Sequence, residues 1–218
     1  MEPIIISHEH PVYIRKRRAL GGGRYNGAYY YSQEIIKNII PNVKTDRNWI
    51  TVNIPPHGAD HAIVFIHNNL HPERYEWLKK YNDLILVCGV EETVEKVAHL
   101  GKAIYLPISI DVEYVKQFKL PKEERQGIVF AGRPKKHKEA DIPPDTTVLA
   151  GIPREDMLKK LARFETVFAV GRTAIEAKCL GCKLKAYDPR YPKVSKWKVL
   201  DNKTAAAMLQ EQLDEIDG

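Results

Sequence analysis

The chain has 218 residues, 44% apolar and 28% charged, with a formal net charge of +6. That length accommodates one domain or two small ones, and the apolar share supports a packed core, which excludes a wholly disordered chain. The apolar runs Ala62–Ile66 and Leu84–Cys88 fall far short of the roughly 20 residues of a membrane span.

At the amino end, Pro3, Ile4, Ile5 and Ile6 read as a strand and lack the layout of a signal peptide. Cys88, Cys179 and Cys182 form an odd set in apolar or mixed surroundings. The expectation is a soluble, cytoplasmic protein with reduced thiols and no membrane span.

Charge is unevenly spread. Asp201–Gly218 holds five acids against Lys203 alone, a balance of −4, so residues 1–200 carry +10. Basic residues cluster at Arg15–Arg18 and at Arg133–Lys138. Such clusters suit nucleic acid, a phosphate-bearing ligand or a solvated surface, and composition does not choose among them.

In chain order, strands are expected at Pro3–Ser7, Trp49–Asn53, Ala62–His67, Leu84–Cys88 and Ala103–Leu106. Four more follow at Gly127–Ala131, Thr147–Ala150, Thr166–Val170 and Lys183–Tyr187. Their near-continuous apolar character suits strands buried on both faces of a parallel sheet. Helical periodicity appears in Ile35, Ile36, Ile39 and Ile40, in Met157, Leu158, Leu161 and Ala162, and in Ala206, Leu209, Leu213 and Ile216. Pro72 is placed to open a helix over Glu73–Tyr81. Strands alternating with helices of about ten residues predict βαβ units and an α/β fold. The polar stretch Asp111–Gln126, with Pro121 and the charge run Lys122–Arg125, reads as a hinge between two small Rossmann-like halves facing across a cleft. The domains expected are 1–111, a linker at 112–126, and 127–218, with the terminal helix packing back.

Several segments carry candidate chemistry. Gly22, Gly23 and Arg24 sit in a glycine-rich run that lacks both the dinucleotide and the P-loop spacing. It reads either as a loop closing over a cleft or as ordinary surface. His67 ends a buried strand and suits either a catalytic, hydroxyl-binding role or a capping one. Arg133 and Lys138 follow the strand Gly127–Ala131, where open α/β sheets bind ligands. There an Arg fork and a Lys point charge can grip a diphosphate, and a solvated loop is the alternative. Gly171 then lets backbone approach a ligand, and the N–H groups of Arg172, Thr173 and Ala174 open a helix, a ready anion site. Glu176, about one turn in, can accept both hydroxyls of a ribose, or can simply answer the helix dipole. The histidines and the Cys179/Cys182 pair match no zinc spacing, so no metal is expected. Tyr29, Tyr30 and Tyr31 are consecutive and face different ways on a helix, which suits core and surface better than a base-stacking platform.

Taken in order, these pieces resemble a known family. Tyr81–Gly89, a helix, then Gly101–Asp111 resembles the end of the N-terminal domain in the retaining glycosyltransferases of GT-B fold. Val129–Arg133 with Lys138, Arg154–Leu161 and Phe168–Gly181 resemble successive donor-side motifs of the same family. The resemblance covers roughly residues 60–187 and implies a metal-independent glycosyltransferase using a nucleotide-sugar such as a UDP- or GDP-sugar, with an unidentified acceptor and no further cofactor. It implies that Arg133 and Lys138 bind the diphosphate and Glu176 the ribose, while Gly171, Arg172 and Thr173 line the phosphate side. It further implies that His67 contacts the transferred sugar, and that the cations and a helix dipole stabilise the leaving diphosphate. Phe168 stands where the family commonly has a second glutamate, which favours the alternative of a nucleotide-binding protein without transfer. A DNA-binding or DNA-modifying protein using the basic clusters is the third reading.

Overall fold

In a computed structural model, residues 4–6, 27–47, 49–52, 60–66, 72–132, 142–144, 146–189 and 191–218 are described. The chain forms two compact units: one contains Ala28–Ile108 and Asn202–Gly218, the other Ser109–Asp201. Each is built on a parallel sheet, so the α/β class expected from the sequence is observed.

The first unit carries β1 (Ile4–Ile6), β2 (Trp49–Val52), β3 (Ala62–Ile66), β4 (Leu84–Cys88) and β5 (Lys102–Tyr105), all parallel and adjacent in chain order. Every residue of β3 and β4 is buried, which is why these runs lack the alternation of a one-faced sheet. Ala62, Val64, Ile66, Leu84, Leu86 and Cys88 pack on Leu78, Val97 and Leu100. Val97 ends helix α2 (Glu91–Val97). Leu78 belongs to Pro72–Lys80, which coils as a 3-10 helix where the sequence suggests an ordinary helix.

Helix α1 (Gly27–Glu34) runs into a π turn at Ile35–Ile39, where Ile40 N–H donates to Ile35 O. Pro41 has no N–H to continue the series, and a 3-10 turn at Ile40–Asn42 closes it. The four isoleucines expected to share one face therefore divide between two helix types, with Ile35, Ile39 and Ile40 buried.

The second unit begins with α3 (Val112–Lys116), whose N-cap Asp111 accepts from Tyr114 N–H at 2.9 Å. The expected linker 112–126 is thus folded. Val115 is fully buried, Arg125 donates to Leu120 O and Gly181 O, and Gln126 N–H donates to Arg163 O. With Val115 its one fully buried residue, this five-residue helix looks like a polar connection in the sequence. Then follow β6 (Ile128–Ala131), β7 (Thr147–Leu149), α4 (Arg154–Leu161), β8 (Thr166–Phe168), α5 (Arg172–Cys179) and β9 (Lys183–Lys185). The strands lie in the order β7-β6-β8-β9, all parallel. Where the chain leaves this unit it meets its own point of entry: Ile110 and Asp201 form a parallel bridge, and Ile110 N–H donates to Leu200 O.

Helix α6 (Asn202–Asp217) belongs to the first unit, although the expected boundary groups it with 127–218. Its buried side, Ala205, Ala206, Leu209 and Leu213, packs against the π turn. Polar ties flank that contact. Asn202 donates to buried Glu34, Gln212 to Tyr105 O, and Arg47 Nη2 lies 2.8 Å from Asp217 Oδ1. All nine expected strands are present, each ending within one or two residues of its expected limits. No helix among the described residues is long and apolar enough to cross a membrane.

Candidate functional site

In the second sheet, β6 has β7 on one side and β8 on the other, so successive connections diverge at the β6/β8 junction. In parallel α/β sheets such a reversal opens a crevice beyond the carboxyl ends of the two strands, because helices leave in opposite directions. The carboxyl ends here are Ala131-Gly132 and Phe168-Ala169-Val170-Gly171. A Cβ at Gly132 would meet the Phe130 ring at 2.9 Å, and Phe130 in turn packs against Tyr187 with centroids 4.7 Å apart and the rings tilted by 58°. Glycine is needed there for close approach.

Gly171 has φ 63° and ψ −141°, a backbone state closed to most L residues, although among the described residues, chain neighbours aside, a Cβ at this position would have no atom within 4 Å. It turns the chain from β8 into α5. Its carbonyl accepts from Ala174 and Ile175, and the first-turn amides ahead of them have no intrahelical acceptor.

Two helices following the strands both begin with arginine, Arg154 on α4 and Arg172 on α5. Both meet Glu176. Arg172 Nε lies 2.9 Å and Arg154 Nε 3.1 Å from Glu176 Oε1. The side chains of Arg172 and Glu176 are 3% and 5% exposed, whereas Arg154 retains 18%. Arg154 also covers the Tyr114 ring, its guanidinium carbon 5.2 Å from the centroid, and Phe118 meets that ring edge-on. The cluster therefore joins two guanidiniums to one carboxylate in a nearly dry place, at the starts of two helices whose dipoles add positive potential.

Further along α5, Lys178 Nζ donates to Val194 O and Trp197 O, both at 2.7 Å, and burial lowers its pKa. Burial raises the Cys179 and Cys182 thiols, which face Val112 O and Leu161 O respectively. No group of three His, Cys, Asp or Glu side chains suited to a metal occurs among the described residues.

Of the residues singled out in the sequence, Gly171, Arg172, Thr173 and Glu176 come together at the start of α5. Arg172 is directly bonded to Glu176, which the family resemblance assigns to ribose. Gly22, Gly23, Arg24, His67, Arg133 and Lys138 lie outside the described residues. Arg154 and Tyr114 are site residues that sequence reasoning misses. The available signal is the repeated placement of an arginine just after a strand and a glycine-containing turn, at Arg154 as at Arg172.

No protein-family profile matches the chain, and no curated protein or solved structure is significantly similar to it.

Proposed function

We propose that the chain is a glycosyltransferase whose second unit binds the diphosphate of a nucleotide-sugar at the carboxyl ends of β6 and β8. The observation that carries this reading is the Arg154–Glu176–Arg172 cluster beside the strand-order reversal. Departure of a nucleoside diphosphate develops negative charge on its terminal phosphate, and guanidiniums held by packing stabilise that charge without reorganising. Arg133, immediately after Gly132, and Lys138 would add cations to the same anion. His67 would contact the sugar being transferred, from the chain segment directly after β3. The division into two α/β units, with the last helix returned to the first, supports the same reading.

A nucleotide-binding protein without transfer is the second reading. It is favoured by Phe168 at the place of the family's second glutamate and by the commitment of Glu176 to two arginines.

Calorimetry with UDP, GDP and their sugars, alongside a coupled assay for released nucleoside diphosphate, tests the proposal. Transfer to an acceptor or donor hydrolysis, with affinity lost in Arg154→Gln and Arg172→Gln, is expected. Nucleotide bound with no turnover selects the second reading. Affinity unchanged in both variants overturns the site.

A further inference from the structure

We infer that Lys183–Lys198, in the second unit, forms a docking surface for a nucleic-acid strand, held by its phosphates without regard to base sequence. The inference does not rest on the nucleotide-sugar reading, and it uses neither of the basic clusters at Arg15–Arg18 and Arg133–Lys138. Within this segment six residues are basic, Lys183, Lys185, Arg190, Lys193, Lys196 and Lys198, against one acid, Asp188. Asp188 is 6% exposed, so it presents almost no carboxylate to solvent.

Two elements carry the lysines. On β9, the outer strand of its sheet, Lys183 and Lys185 are exposed on one face while Leu184 is buried on the other. The two-residue spacing sets their backbones roughly 7 Å apart. Further on, a 3-10 turn at Val194–Lys196 leaves Lys193, Lys196 and Lys198 exposed. Trp197, 4% exposed, anchors that turn, and Lys178 Nζ of α5 donates to Val194 O and Trp197 O. The turn is thereby fastened to the last turn of α5, and β9 starts four residues after α5 ends. Both groups of lysines border the same end of that helix.

Their charge is not answered locally. Other exposed lysines of this unit meet a carboxylate one helical turn away, Lys116 with Glu113 at 3.0 Å and Lys159 with Glu155 at 2.6 Å. Among the described residues, Lys183, Lys185, Lys193 and Lys198 make no ion pair. The carboxyl end of a helix presents only about half a unit of negative charge. Arg125, bonded to Gly181 O, already answers it. Like charges gathered in this way repel one another and favour a partner with repeated negative charge.

A lysine ammonium is a point charge and meets phosphate without the fork geometry that reads a base edge, so the contact is to backbone. A lipid surface also offers repeated phosphates, but stable attachment there takes a second, apolar signal. Val199, 42% exposed, is the one large apolar side chain exposed beside the turn, and it gives a bilayer little to hold.

Anisotropy of a labelled single strand of about 16 nucleotides, titrated with the full chain from about 50 to about 200 mM salt, tests the surface. Wild type is compared with Lys183→Gln/Lys185→Gln/Lys193→Gln/Lys198→Gln and with Lys116→Gln/Lys159→Gln, which removes two paired lysines of the same unit. Wild-type affinity should fall steeply with salt. The quadruple variant should flatten the log–log slope by about 3, at about 0.7 per lost contact, and weaken binding at the lower salt by about tenfold or more. The paired-lysine variant should keep the wild-type slope, and excess UDP should not displace the strand. The inference is overturned if wild type fails to bind the strand, or if the quadruple variant keeps the wild-type slope. It is also overturned if the paired-lysine variant loses as much per lysine, or if UDP displaces the strand. Binding to vesicles of phosphatidylcholine and phosphatidylserine in equal parts, with no strand bound, would replace nucleic acid by a lipid surface and overturn it as well.

Discussion

His61 and Asp83 stand just ahead of the neighbouring strands β3 and β4, both with positive φ (59° and 51°), and His61 Nδ1 is hydrogen-bonded to Asp83 Oδ2. Among the described residues no other non-glycine residue has positive φ. Histidine and aspartate tolerate that region better than most side chains. The two turns also share backbone bonds: His61 N–H donates to Asn82 O, and Asn82 N–H to Asp60 Oδ1. Beneath them Arg47, 4% exposed, reaches Asp83 Oδ1 at 2.8 Å and Asp217 of α6 at 2.8 Å. One side-chain chain thus ties the starts of two strands to the last turn of the final helix.

Asp83 should make this tie sensitive to acid. Hydrogen bonds from His61 and then Arg47 hold its carboxyl below the usual carboxylate range. A depressed folded-state value means the stabilisation is present above the unfolded value, about pH 4, and is lost as pH falls through the folded value. Because Asp83 is more than half exposed, solvent screening keeps the effect to about 1 kcal/mol or less. Thermal melts of wild type and Asp83→Asn should differ at pH 7 and converge below about pH 4. A gap that does not narrow as pH falls below about 4 would mean the side chain acts through packing instead.

Gly171→Ala isolates the backbone of the candidate site. Among the described residues, chain neighbours aside, no atom lies within 4 Å of the added Cβ, so the expected cost is that of the φ of 63°. Such a conformation costs of the order of 1–3 kcal/mol for a residue with a Cβ. Urea unfolding should show a loss of that size. If the stability were unchanged, the turn into α5 would have to reach the same end point through an ordinary backbone state.

The sheets are legible in the sequence because strands buried on both faces need unbroken apolar runs. Ala62–Ile66 and Leu84–Cys88 each stand out without any knowledge of their neighbours. Strand order is not legible. The placement of β7 outside β6 depends on which way each connection turns, and no residue pattern records that. At the site, Gly171 and the start of α5 can be read from a strand-glycine-helix sequence. Arg154 repeats that local pattern, but its meeting with Glu176, 22 positions later, exists only once α4 and α5 have packed. The same holds for the hinge. Its polar composition conceals Val115, the one fully buried residue of the five-residue helix there.

The three thiols should behave as core groups. Cys88 is fully buried in β4, and desolvation pushes its pKa up to about 12. Burial also raises Cys179 and Cys182, and they point to carbonyls on different segments. The thiolate is the reactive form, so all three should react slowly with a disulfide reagent at about pH 7.5. In denaturant, all three should react at once. Rapid labelling of Cys179 or Cys182 in the native protein would show that the carboxyl end of α5 opens locally.

The Arg154–Glu176–Arg172 cluster makes a prediction about stability that needs no ligand. Deleting Arg154 leaves Glu176 hydrogen-bonded to Arg172, whereas deleting Glu176 removes the one acceptor that two guanidiniums share, that of Arg172 almost fully buried. Removing one partner of a buried ion pair costs about 3–5 kcal/mol, because the remaining charge loses its compensation. Glu176→Leu should approach that range in urea unfolding. Arg154→Leu should cost about 1–2 kcal/mol, since Arg154 is the more exposed partner and loses a charge-assisted bond and a ring contact. Combining Glu176→Leu with Arg172→Met should recover part of the loss by removing the stranded cation along with its partner. If the double variant were no more stable than Glu176→Leu, the loss would not come from Arg172 deprived of its acceptor, and packing around Glu176 would be its source.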